Sequence, residues 1–370
     1  MTTHNKPTAE NRQQKTENQQ RKTTNQQPII TFGEILLRLT PPSFKRIAQT
    51  TSFDAHFGGA EANVAAALGA WNQASRLVSK VPANSLGEGA VRFFQSCGIN
   101  TCSIKRGGER LGIYYYEQGA GLRPSVVEYD RKHSAINDLK EHEFDWYEIL
   151  LGAAWFHWTG ITAALSPSVL SELRTALKAA QNHGVKVSCD LNYRSKLWSK
   201  EEARETMTDL MQYVNVLVSN EHDTQICLGV EVEVEVEQSP STEEYYRSLA
   251  KTLKDRFKFD AVALSVRESE IVQIPDVIHR RALLLDSRDC SNGYFSHKHT
   301  YRPIEDIGGG DAFTAGLIYG LLHEESSQDA LEFAVAAAAL KQTVPGDVSM
   351  ASIEEIRALA VNGKGAKVVR

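Results

Sequence analysis

Several features that mark specialised classes of protein are scarce or missing in this sequence. Only five cysteines occur in 370 residues and none forms a Cys-x-x-Cys pair, which argues against a disulfide framework and favours reduced thiols. The sequence contains no run of about 18 apolar residues, so it does not predict a membrane span. The net charge of −5 argues against a general nucleic-acid surface. The histidines show no metal-ligand spacing, so structural or surface roles are the simpler interpretation of His157, His222, His297 and His299.

What remains is an ordinary composition for a soluble globular protein, with 42% hydrophobic and 24% charged residues. Residues 1–27 are the exception, because they are polar and offer almost nothing to bury. We expect this segment to be a disordered tail and not a secretory signal, since no apolar segment follows its charges. The expected organisation is therefore a tail and one domain over 28–370, in a cytoplasmic protein.

From about residue 150 the pattern alternates regularly between predicted strands and predicted helices. Ser166-Pro167 predicts a helix start and Gly184 its end, and Ser199 to Glu202 reads as a capping box. Such alternation predicts an α/β fold with a mostly parallel sheet and helices on both faces. The predicted strands are Ala153–Trp158, Val185–Cys189, Val214–Ser219 and Ala261–Ser265. The alternating segment Glu231–Glu237 is expected to be a solvated edge strand or a surface loop.

Residues 104–129 have a different pattern, which predicts a small β-sheet. Ile104–Arg106, the turn Gly107-Gly108 and Arg110–Glu117 together predict a β-hairpin, and Ser125–Tyr129 predicts a further strand. Such a sheet without helices of its own cannot bury both faces. With strands from about 34–57, it is therefore expected to cover a site as a lid, or to pair with a second copy of the chain.

The chain carries its most suggestive chemistry in Gly308–Gly310, which run into Asp311 and a predicted amphipathic helix. Uncovered N–H groups at a helix start, with the helix dipole, form a site for a phosphate or a developing anion. Asp311 at such a site would accept the proton of an attacking hydroxyl. The stretch is neither a Walker A loop nor a dinucleotide fingerprint, and a glycine-rich turn alone is a weak signal.

Further polar groups follow the predicted strands directly, at the sheet edge where ligands bind in open parallel sheets. They are Asp190, Asn192 and Arg194; Asn220, Glu221 and Asp223; and Arg267, Glu268 and Ser269. Any one set alone would be read more simply as a turn with capping side chains. Together they fit phosphoryl transfer, in which Asn220 and Asp223 hold Mg²⁺ through waters and Arg194 contacts a phosphate or a substrate carboxylate.

The turn Gly58-Gly59, which leads into Glu61 and Asn63, would let a ligand lie against the backbone. A simple tight turn between a strand and a helix is an equally good interpretation of the same residues.

Several of these motifs resemble those of the PfkB-type carbohydrate kinases, which have a ribokinase-like fold. Gly308–Phe313 resembles the family's Gly-Ala-Gly-Asp signature, Gly58-Gly59 with Asn63 its amino-terminal signature, and Asn220–Asp223 its Asn-x-x-Glu motif. The similarity extends over about residues 29–360. Within the family, the segments most similar to 2-keto-3-deoxygluconate kinases are Phe32-Gly33-Glu34, Gly58–Asn63, Tyr129-Asp130-Arg131, Cys189–Arg194 and Pro345-Gly346-Asp347.

The resemblance implies that ATP with Mg²⁺ phosphorylates the terminal hydroxyl of a sugar acid, and that the lid clasps a second subunit in a homodimer or higher homo-oligomer. It makes Asp311 the base, with Gly308, Gly309 and Gly310 as the anion hole. The residues implied to contact the sugar acid are Gly58, Gly59, Asn63, Tyr114, Tyr116, Arg123, Arg194, Asp311 and Asp347. Those implied for the nucleotide are Asn192, Arg194, Asn220, Ser265, Arg267, Gly308 and Gly310.

Three residues depart from the family pattern. Gly309 stands where alanine is usual, Glu305 replaces an aspartate three residues before the signature, and Asp223 replaces a glutamate. The expected consequences are a looser loop, altered loop or cation contacts, and a shorter reach toward a metal.

The alternatives are a kinase for a neutral sugar such as fructose or ribose, in which Arg123 would be a solvated lid residue, and a sugar-binding regulator without catalysis. The intact Gly308–Asp311 stretch argues against the regulator, because a binder has no need of a base beside an anion hole.

Overall fold

The computed structural model describes residues 27–232, 243–266, 277–288 and 292–362. The expectations for the amino-terminal tail, for Arg267 to Ser269 and for most of Glu231–Glu237 fall outside these ranges.

The strands, in chain order, are β1 (Ile29–Phe32), β2 (Leu36–Thr40), β3 (Asp54–Gly58), β4 (Ser75–Val81), β5 (Ile104–Arg106), β6 (Gly112–Glu117), β7 (Val126–Asp130), β8 (Trp155–Thr159), β9 (Lys186–Asp190), β10 (Val216–Asn220), β11 (Ala261–Val266), β12 (Ile278–Asp286), β13 (Tyr294–Phe295) and β14 (His299–Tyr301).

The α-helices are α1 (Ala60–Ala70), α2 (Ser85–Ser96), α3 (Trp146–Leu150), α4 (Gly160–Ala163), α5 (Pro167–His183), α6 (Lys200–Leu210), α7 (Glu221–Leu228), α8 (Glu243–Phe257), α9 (Gly309–His323), α10 (Ser327–Lys341) and α11 (Ile353–Asn362). Short 3₁₀ turns span Ile47–Gln49, Ala135–Asp138 and Met211–Tyr213.

A mostly parallel sheet of ten described strands forms the centre of the molecule, which confirms the predicted α/β class. Its order is β13-β12-β11-β10-β9-β8-β1-β4-β5, with β14 also paired to β12, and only the pairs made by β12 are antiparallel. Every residue of β8 is buried, as expected for a strand covered by helices on both faces. The parallel arrangement brings the carboxyl ends of β8 to β11 to one edge.

The hydrophobic core lies in two layers, one on each face of this sheet. One layer packs α5, α6 and α8 through residues such as Leu173, Met207 and Leu249. The other packs α1, α9 and α10 through residues such as Leu68 and Phe333. The predicted helix signals behave as expected, since Ser166 caps α5, Gly184 ends it in a left-handed conformation, and Ser199 with Glu202 forms a capping box.

A separate four-stranded sheet, the lid sheet, has the order β3-β2-β6-β7. The predicted hairpin of Ile104–Arg106 with Arg110–Glu117 is wrong. Strand β5 pairs in parallel with β4 at the edge of the central sheet, while β6 pairs with β2 and β7. Gly107 and Gly108 both have positive φ, but they turn the chain from one sheet to the other instead of closing a hairpin.

The inner face of the lid sheet packs over the segment that leads into α9. Leu36, Tyr114 and Tyr116 form a cluster against which Tyr129 and Ile307 pack. The lid sheet therefore covers the start of α9, which is one of the two roles expected for it. No helix in the described part of the chain is long and apolar enough to cross a membrane.

Candidate active site

The glycine cradle, Gly308–Gly310, forms the start of α9 and opens into a polar cavity. Gly308 is the residue before the helix and has φ of 75°. A Cβ atom at Gly308 would overlap the carbonyl oxygen of Asp347 and lie 2.9 Å from Lys341 Cε, so only glycine fits. The N–H groups of the first helical turn have no partner within the helix. The cradle therefore presents donors and the positive end of the helix dipole to the cavity.

The main cavity has a volume of about 480 Å³ and lies between the lid sheet and the carboxyl ends of β9 to β11. Most residues proposed from the sequence line it: Gly59, Asn63, Tyr114, Asp190, Asn192, Arg194, Asn220, Asp223, Ser265, Gly308, Gly310, Asp311 and Asp347. The fold thus gathers residues that are up to about 290 positions apart in the chain into one polar site.

Asp311 projects from the first turn of α9 into this cavity. Its Oδ2 accepts a hydrogen bond of 2.7 Å from Asn63 Nδ2, which belongs to α1. Burial raises the pKa of Asp311 from its ordinary value to about 7, and the carboxyl groups of Glu61 and Asp347 act in the same direction. The Asn63 hydrogen bond and the Arg194 guanidinium oppose that rise in pKa. A carboxyl group with such a pKa can accept a proton near neutral pH.

Glu61 stabilises the same corner without forming a hydrogen bond with Asp311. Its Oε1 accepts hydrogen bonds from Thr159 N (3.0 Å), Thr159 Oγ1 (2.7 Å) and Thr162 Oγ1 (2.7 Å). These contacts tie the first turn of α1 to β8 and α4, and so fix the helix that carries Asn63. The sequence had placed Glu61 near a ligand, and it does line the cavity, but its oxygen Oε1 is already occupied by protein donors.

A second group of acidic and polar side chains lies where β9 and β10 end. Asp190 has a pKa raised to about 8 by burial and by the nearby carboxylates of Asp223 and Asp311. Asn220 caps α7, accepting from Asp223 N at 2.9 Å, and Asp223 Oδ2 accepts from Tyr193 N at 3.2 Å. Asn220 is thus the capping side chain that the simpler interpretation foresaw, although it also lines the cavity.

Repulsion of Asp190 by Asp223 and by Asp311 makes this end of the cavity suited to a cation that arrives with phosphate oxygens. Carboxylate and amide oxygens are the ligands that Mg²⁺ prefers. No cluster of three or more His, Cys, Asp or Glu ligands is found among the described residues. The donors therefore fit a Mg²⁺ ion that keeps several waters better than one held in a complete protein cage.

The lid end of the main cavity contains two residues that the sequence analysis did not assign to the site, Tyr129 and Arg131. Arg131 donates from Nε to Glu34 Oε2 at 2.8 Å, and a second nitrogen of its guanidinium contacts the same oxygen. Ser134 donates to the other oxygen of Glu34 at 2.5 Å. The available signal was the motif Tyr129-Asp130-Arg131, which had been noted only for its resemblance.

Asp347 and Tyr114 connect the lid sheet with the cradle. Tyr114 OH donates to Asp347 Oδ1, and Arg38 Nε lies 3.1 Å from Asp347 Oδ2. Burial raises the pKa of Asp347, which is 3% exposed, although Arg38 and Tyr114 lower it. Gly58 lies directly against this carboxyl group, since a Cβ there would be only 2.5 Å from Asp347 Oδ1.

Tyr116 and Arg123 lie elsewhere, in a second cavity of about 620 Å³ between the lid sheet and Arg302–Asp306. Arg123 is held by Glu117 Oε1 at 3.1 Å and by the carbonyl oxygens of Phe44 at 2.6 Å and Gln118 at 3.2 Å. The two cavities share Asp306 in their linings. The structure therefore does not bring Tyr116 and Arg123 together with Asp311, and their role in sugar binding stays a prediction.

The three departures from the family pattern have local explanations. Glu305 is buried, pairs with Arg38 NH1 at 2.8 Å and accepts from Gly346 N at 2.9 Å, so its longer side chain bridges two loops. At Gly309 an added Cβ would lie 2.9 Å from Gln342 Cδ, which shows that Gln342 uses the space of the usual alanine methyl. Asp223 is committed to Tyr193 N, as described above.

Comparison with known proteins identifies a family of kinases. The pfkB family carbohydrate kinases match residues 26–264 and 298–354. A 2-dehydro-3-deoxygalactonokinase of Haloferax volcanii is 30% identical over 335 residues, which cover 90% of this chain and 97% of that protein.

Two solved structures extend the comparison. The crystal structure of a 2-dehydro-3-deoxygluconokinase from Thermotoga maritima has a TM-score of 0.85 at 44% identity and covers 91% of this chain and 100% of its own. A putative Ribokinase II from E. coli, in complex with ATP and Mg²⁺, shares the fold with a TM-score of 0.74 at 16% identity, over 91% of this chain and 100% of its own. PfkB kinases use ATP with Mg²⁺. With the motif residues gathered around Asp311 and the family matched over most of its length, this chain belongs to the pfkB family of carbohydrate kinases.

Proposed function

We propose that the protein transfers the γ-phosphoryl group of ATP to the terminal hydroxyl of a 2-keto-3-deoxy sugar acid, 2-keto-3-deoxygluconate or its galactonate epimer. The observation that carries this proposal is the position of Asp311, whose raised pKa and half-buried carboxyl group lie beside the open first turn of α9. The names of the Thermotoga and Haloferax relatives support the sugar-acid class.

Asp311 accepts the proton of the terminal hydroxyl as that oxygen attacks the γ-phosphorus, and ADP departs with the former bridging oxygen. Asn63 holds the accepting carboxylate in place through its hydrogen bond. The glycine cradle binds the oxygens of the transferring group, where negative charge is concentrated. Preorganised backbone donors are effective here because they do not reorganise during the reaction.

The nucleotide end of the cavity is proposed to be formed by Asn192, Arg194, Asn220 and Ser265, with Asp190 and Asp223 facing the Mg²⁺ that accompanies ATP. That ion would neutralise charge on the phosphate oxygens. Arg194 is assigned to the phosphates because it lines this cavity and its charge lowers the pKa of both Asp190 and Asp311, which supports a position near both carboxyl groups.

The sugar acid is proposed to lie with its terminal hydroxyl at Asp311 and its carboxylate toward the lid end. Arg131 is the lid cation that lines the main cavity in the described chain. A guanidinium has five N–H donors, and Glu34 uses only part of them, so Arg131 retains capacity for a second carboxylate. Tyr129 and Tyr114, whose ring centroids are 5.8 Å apart, line the wall on the same side.

Turnover with a panel of sugars tests the proposal. ATP consumption is measured with 2-keto-3-deoxygluconate, 2-keto-3-deoxygalactonate, fructose and ribose, and the position of the new phosphate is read by ³¹P NMR. A sugar acid phosphorylated on its terminal carbon supports the proposal. Faster turnover of fructose or ribose, or a phosphate on another carbon, would contradict it.

A kinase for a neutral sugar is the second candidate, and one observation favours it. Arg131 and the buried Glu34 form an ion pair that already neutralises both charges, which reduces the attraction for a substrate carboxylate. The same sugar panel separates the two candidates.

We also propose a homodimer or higher homo-oligomer formed through the lid sheet, and a cytoplasmic location. The outward positions of β7 support contact with another surface, since Val126 is 40% exposed at an edge strand of the lid. Light scattering on the purified protein tests the assembly, and cell fractionation tests the location.

A further inference from the structure

Lys341, the last residue of α10, is a lysine without any solvent exposure. Its ammonium nitrogen donates one hydrogen bond in the described structure, to the carbonyl oxygen of Val344 at 3.3 Å. An ammonium group has three N–H donors, so this geometry does not exhaust its capacity. A lysine is rarely buried in this way unless opposite charge compensates it.

The compensating charges belong to a buried cluster behind the glycine cradle. Arg38 is fully buried and pairs with Glu305 at 2.8 Å and with Asp347 at 3.1 Å. Lys341 interacts electrostatically with the same two carboxylates and with Asp311. Counting Arg38, Lys341, Glu305 and Asp347 as ionised, the cluster has two positive and two negative charges, and is balanced only if Lys341 is protonated.

Lys341 also touches the cradle itself. A Cβ at Gly308 would lie 2.9 Å from Lys341 Cε, so the lysine stem packs directly beside the backbone of Gly308. Lys341 is not among the residues that line the main cavity. The loop after α10 makes contacts with both groups. Its Val344 carbonyl oxygen accepts the hydrogen bond from Lys341, and its Gly346 N donates to Glu305. Asp347, a member of the cluster, lines the main cavity together with Gly308 and Gly310, so the cluster borders the phosphate-binding donors directly.

We propose that Lys341 is a built-in cation that positions the glycine cradle and raises its positive potential toward the transferring phosphoryl group. The inference rests on the proposed kinase function and adds a positioning residue to it, since Lys341 contacts the cradle and not the substrate. Burial lowers the pKa of Lys341 from its ordinary value and Arg38 acts in the same direction, while Glu305, Asp347 and Asp311 oppose that lowering.

The position of the charge explains why it would act on the transition state. The main cavity already holds the carboxyl groups of Asp190, Asp311 and Asp347, which repel an incoming phosphate. A cation behind the cradle, shielded from water, loses little of its field to screening. It would offset part of this repulsion where charge develops during transfer, so its removal should lower kcat more than it raises the KM of the sugar.

The competing explanation is purely structural, in which Lys341 serves only to neutralise Glu305 and Asp347. Under that explanation its replacement would lower the melting temperature but leave the turnover of the folded fraction intact. A matched control is Lys80, which is 7% exposed and forms an ion pair of 2.9 Å with Glu143, away from both cavities. Lys80→Met removes a buried ammonium without touching the cradle.

The first experiment compares Lys341→Met, which keeps the length of the side chain without its charge, with Lys80→Met and the unaltered protein. Turnover is measured with the sugar that the unaltered protein phosphorylates best. We expect kcat of Lys341→Met to fall about 10- to 100-fold, below the effect of a direct oxyanion donor, with the KM of the sugar changed by less than about threefold and Lys80→Met close to the unaltered protein. A kcat of Lys341→Met within about threefold of Lys80→Met would overturn the proposal.

The second experiment uses Lys341→Ala, which leaves room for a small cation. Ammonium and methylammonium chloride should restore part of the lost kcat, whereas tetramethylammonium chloride at equal ionic strength should not, because it is too large and has no N–H donor. The unaltered protein should respond alike to all three salts. Equal responses of Lys341→Ala to the three salts would contradict the proposal, and this holds even if Lys341→Met fails to fold.

Failure of this inference is distinguishable from failure of the proposed function. A protein that phosphorylates only neutral sugars would contradict the sugar-acid proposal, while the Lys341 comparison would still be decided with the neutral sugar. Normal turnover of a sugar acid by both lysine variants would overturn the role of Lys341 alone.

Discussion

The two cavities beside the lid sheet share Asp306 but hold their arginines in different ways. In the main cavity, Arg131 is bound by the buried carboxylate of Glu34 and lies in the same enclosure as Asp311. In the second cavity, Arg123 is bound by Glu117 and by two backbone carbonyl oxygens. The main cavity also gathers carboxyl groups with raised pKa values, those of Asp190, Asp311 and Asp347.

This difference shows that positive charge near a site is not sufficient evidence of ligand binding. Clusters of groups with perturbed pKa values are typical of functional sites, because chemistry requires the burial and charge that shift them. Arg123 instead uses its donors to fix the loop between β6 and β7. The predictions below either strengthen or remove the contrast between the cavities.

The largest effect is expected for Asp311→Asn. An amide of the same shape cannot accept the proton of the attacking hydroxyl, so kcat should fall by about 10² to 10⁴, the range of general-base catalysis. Nucleotide binding, measured by calorimetry, should persist because the cradle is intact. Turnover within tenfold of the unaltered protein would show that Asp311 is not the base.

A smaller effect is expected for Arg131→Ala. Loss of a hydrogen bond to a charged group costs about 1.5 to 3 kcal/mol, or roughly 10- to 150-fold in kcat/KM for a sugar acid. A neutral sugar should lose much less. The control is the ratio of the two substrates in the same variant, since a general structural defect would lower turnover of both substrates equally.

The pH dependence of kcat/KM should follow the free-enzyme ionisation of Asp311. Its pKa is about 7, so activity should be halved near that pH and decline below it as the carboxylate becomes protonated. Asn63→Ala removes the hydrogen bond that lowers this pKa, and the acid limb should move to higher pH. If the acid limb of the kcat/KM profile is unchanged in Asn63→Ala, then Asn63 does not influence the pKa of Asp311.

Thermal stability should also depend on Asp311. Because folding raises its pKa from 3.8 to about 7, the favourable contribution of the protonated group is present below pH 3.8 and is lost as the pH rises through 7. Asp311→Asn is not subject to that loss. The melting temperature of Asp311→Asn minus that of the unaltered protein should therefore increase from pH 4 to pH 8. Calorimetry at several pH values measures this difference, and a difference that does not change with pH would contradict the expectation.

The smallest effect among the site variants is expected for Arg123→Ala, although the sequence had suggested Arg123 as a carboxylate anchor. Its partners are Glu117 and backbone groups, so a modest loss of melting temperature should exceed any loss of sugar-acid turnover. A selective loss of sugar-acid turnover would instead support the original prediction. Removal of residues 1–27, expected to form a tail, should leave stability and activity nearly unchanged.

The sequence predicted the α/β core well because its signals are local. Capping residues such as Ser166 and Ser199 act on backbone groups three positions away, and a parallel sheet follows from the alternation of strands and helices. The helix that follows the glycine run at Gly308–Gly310 was also identifiable, since a glycine run before an amphipathic helix is a contiguous pattern. The roles of the cradle and of Asp311 stay predictions.

The errors concern pairing between distant segments. Gly107-Gly108 signalled a turn correctly, but the partner of β5 is β4, and that of β6 is β2, which lies about 75 residues earlier. Local residues do not encode which distant strand will pair. The same limit applies to the two arginines. The cavity that Arg123 lines depends on the loop from Gln118 to Ser125, and the cavity that Arg131 lines depends on the position of Glu34, which is distant in the sequence.

The most direct test is the turnover of 2-keto-3-deoxygluconate by Arg131→Ala and Arg123→Ala, measured side by side under identical conditions. We expect kcat/KM to be at least about tenfold lower in Arg131→Ala than in Arg123→Ala, in keeping with the loss of one charge-assisted hydrogen bond. Equal values in the two variants, or a lower value in Arg123→Ala, would contradict the assignment of the main cavity to the sugar acid.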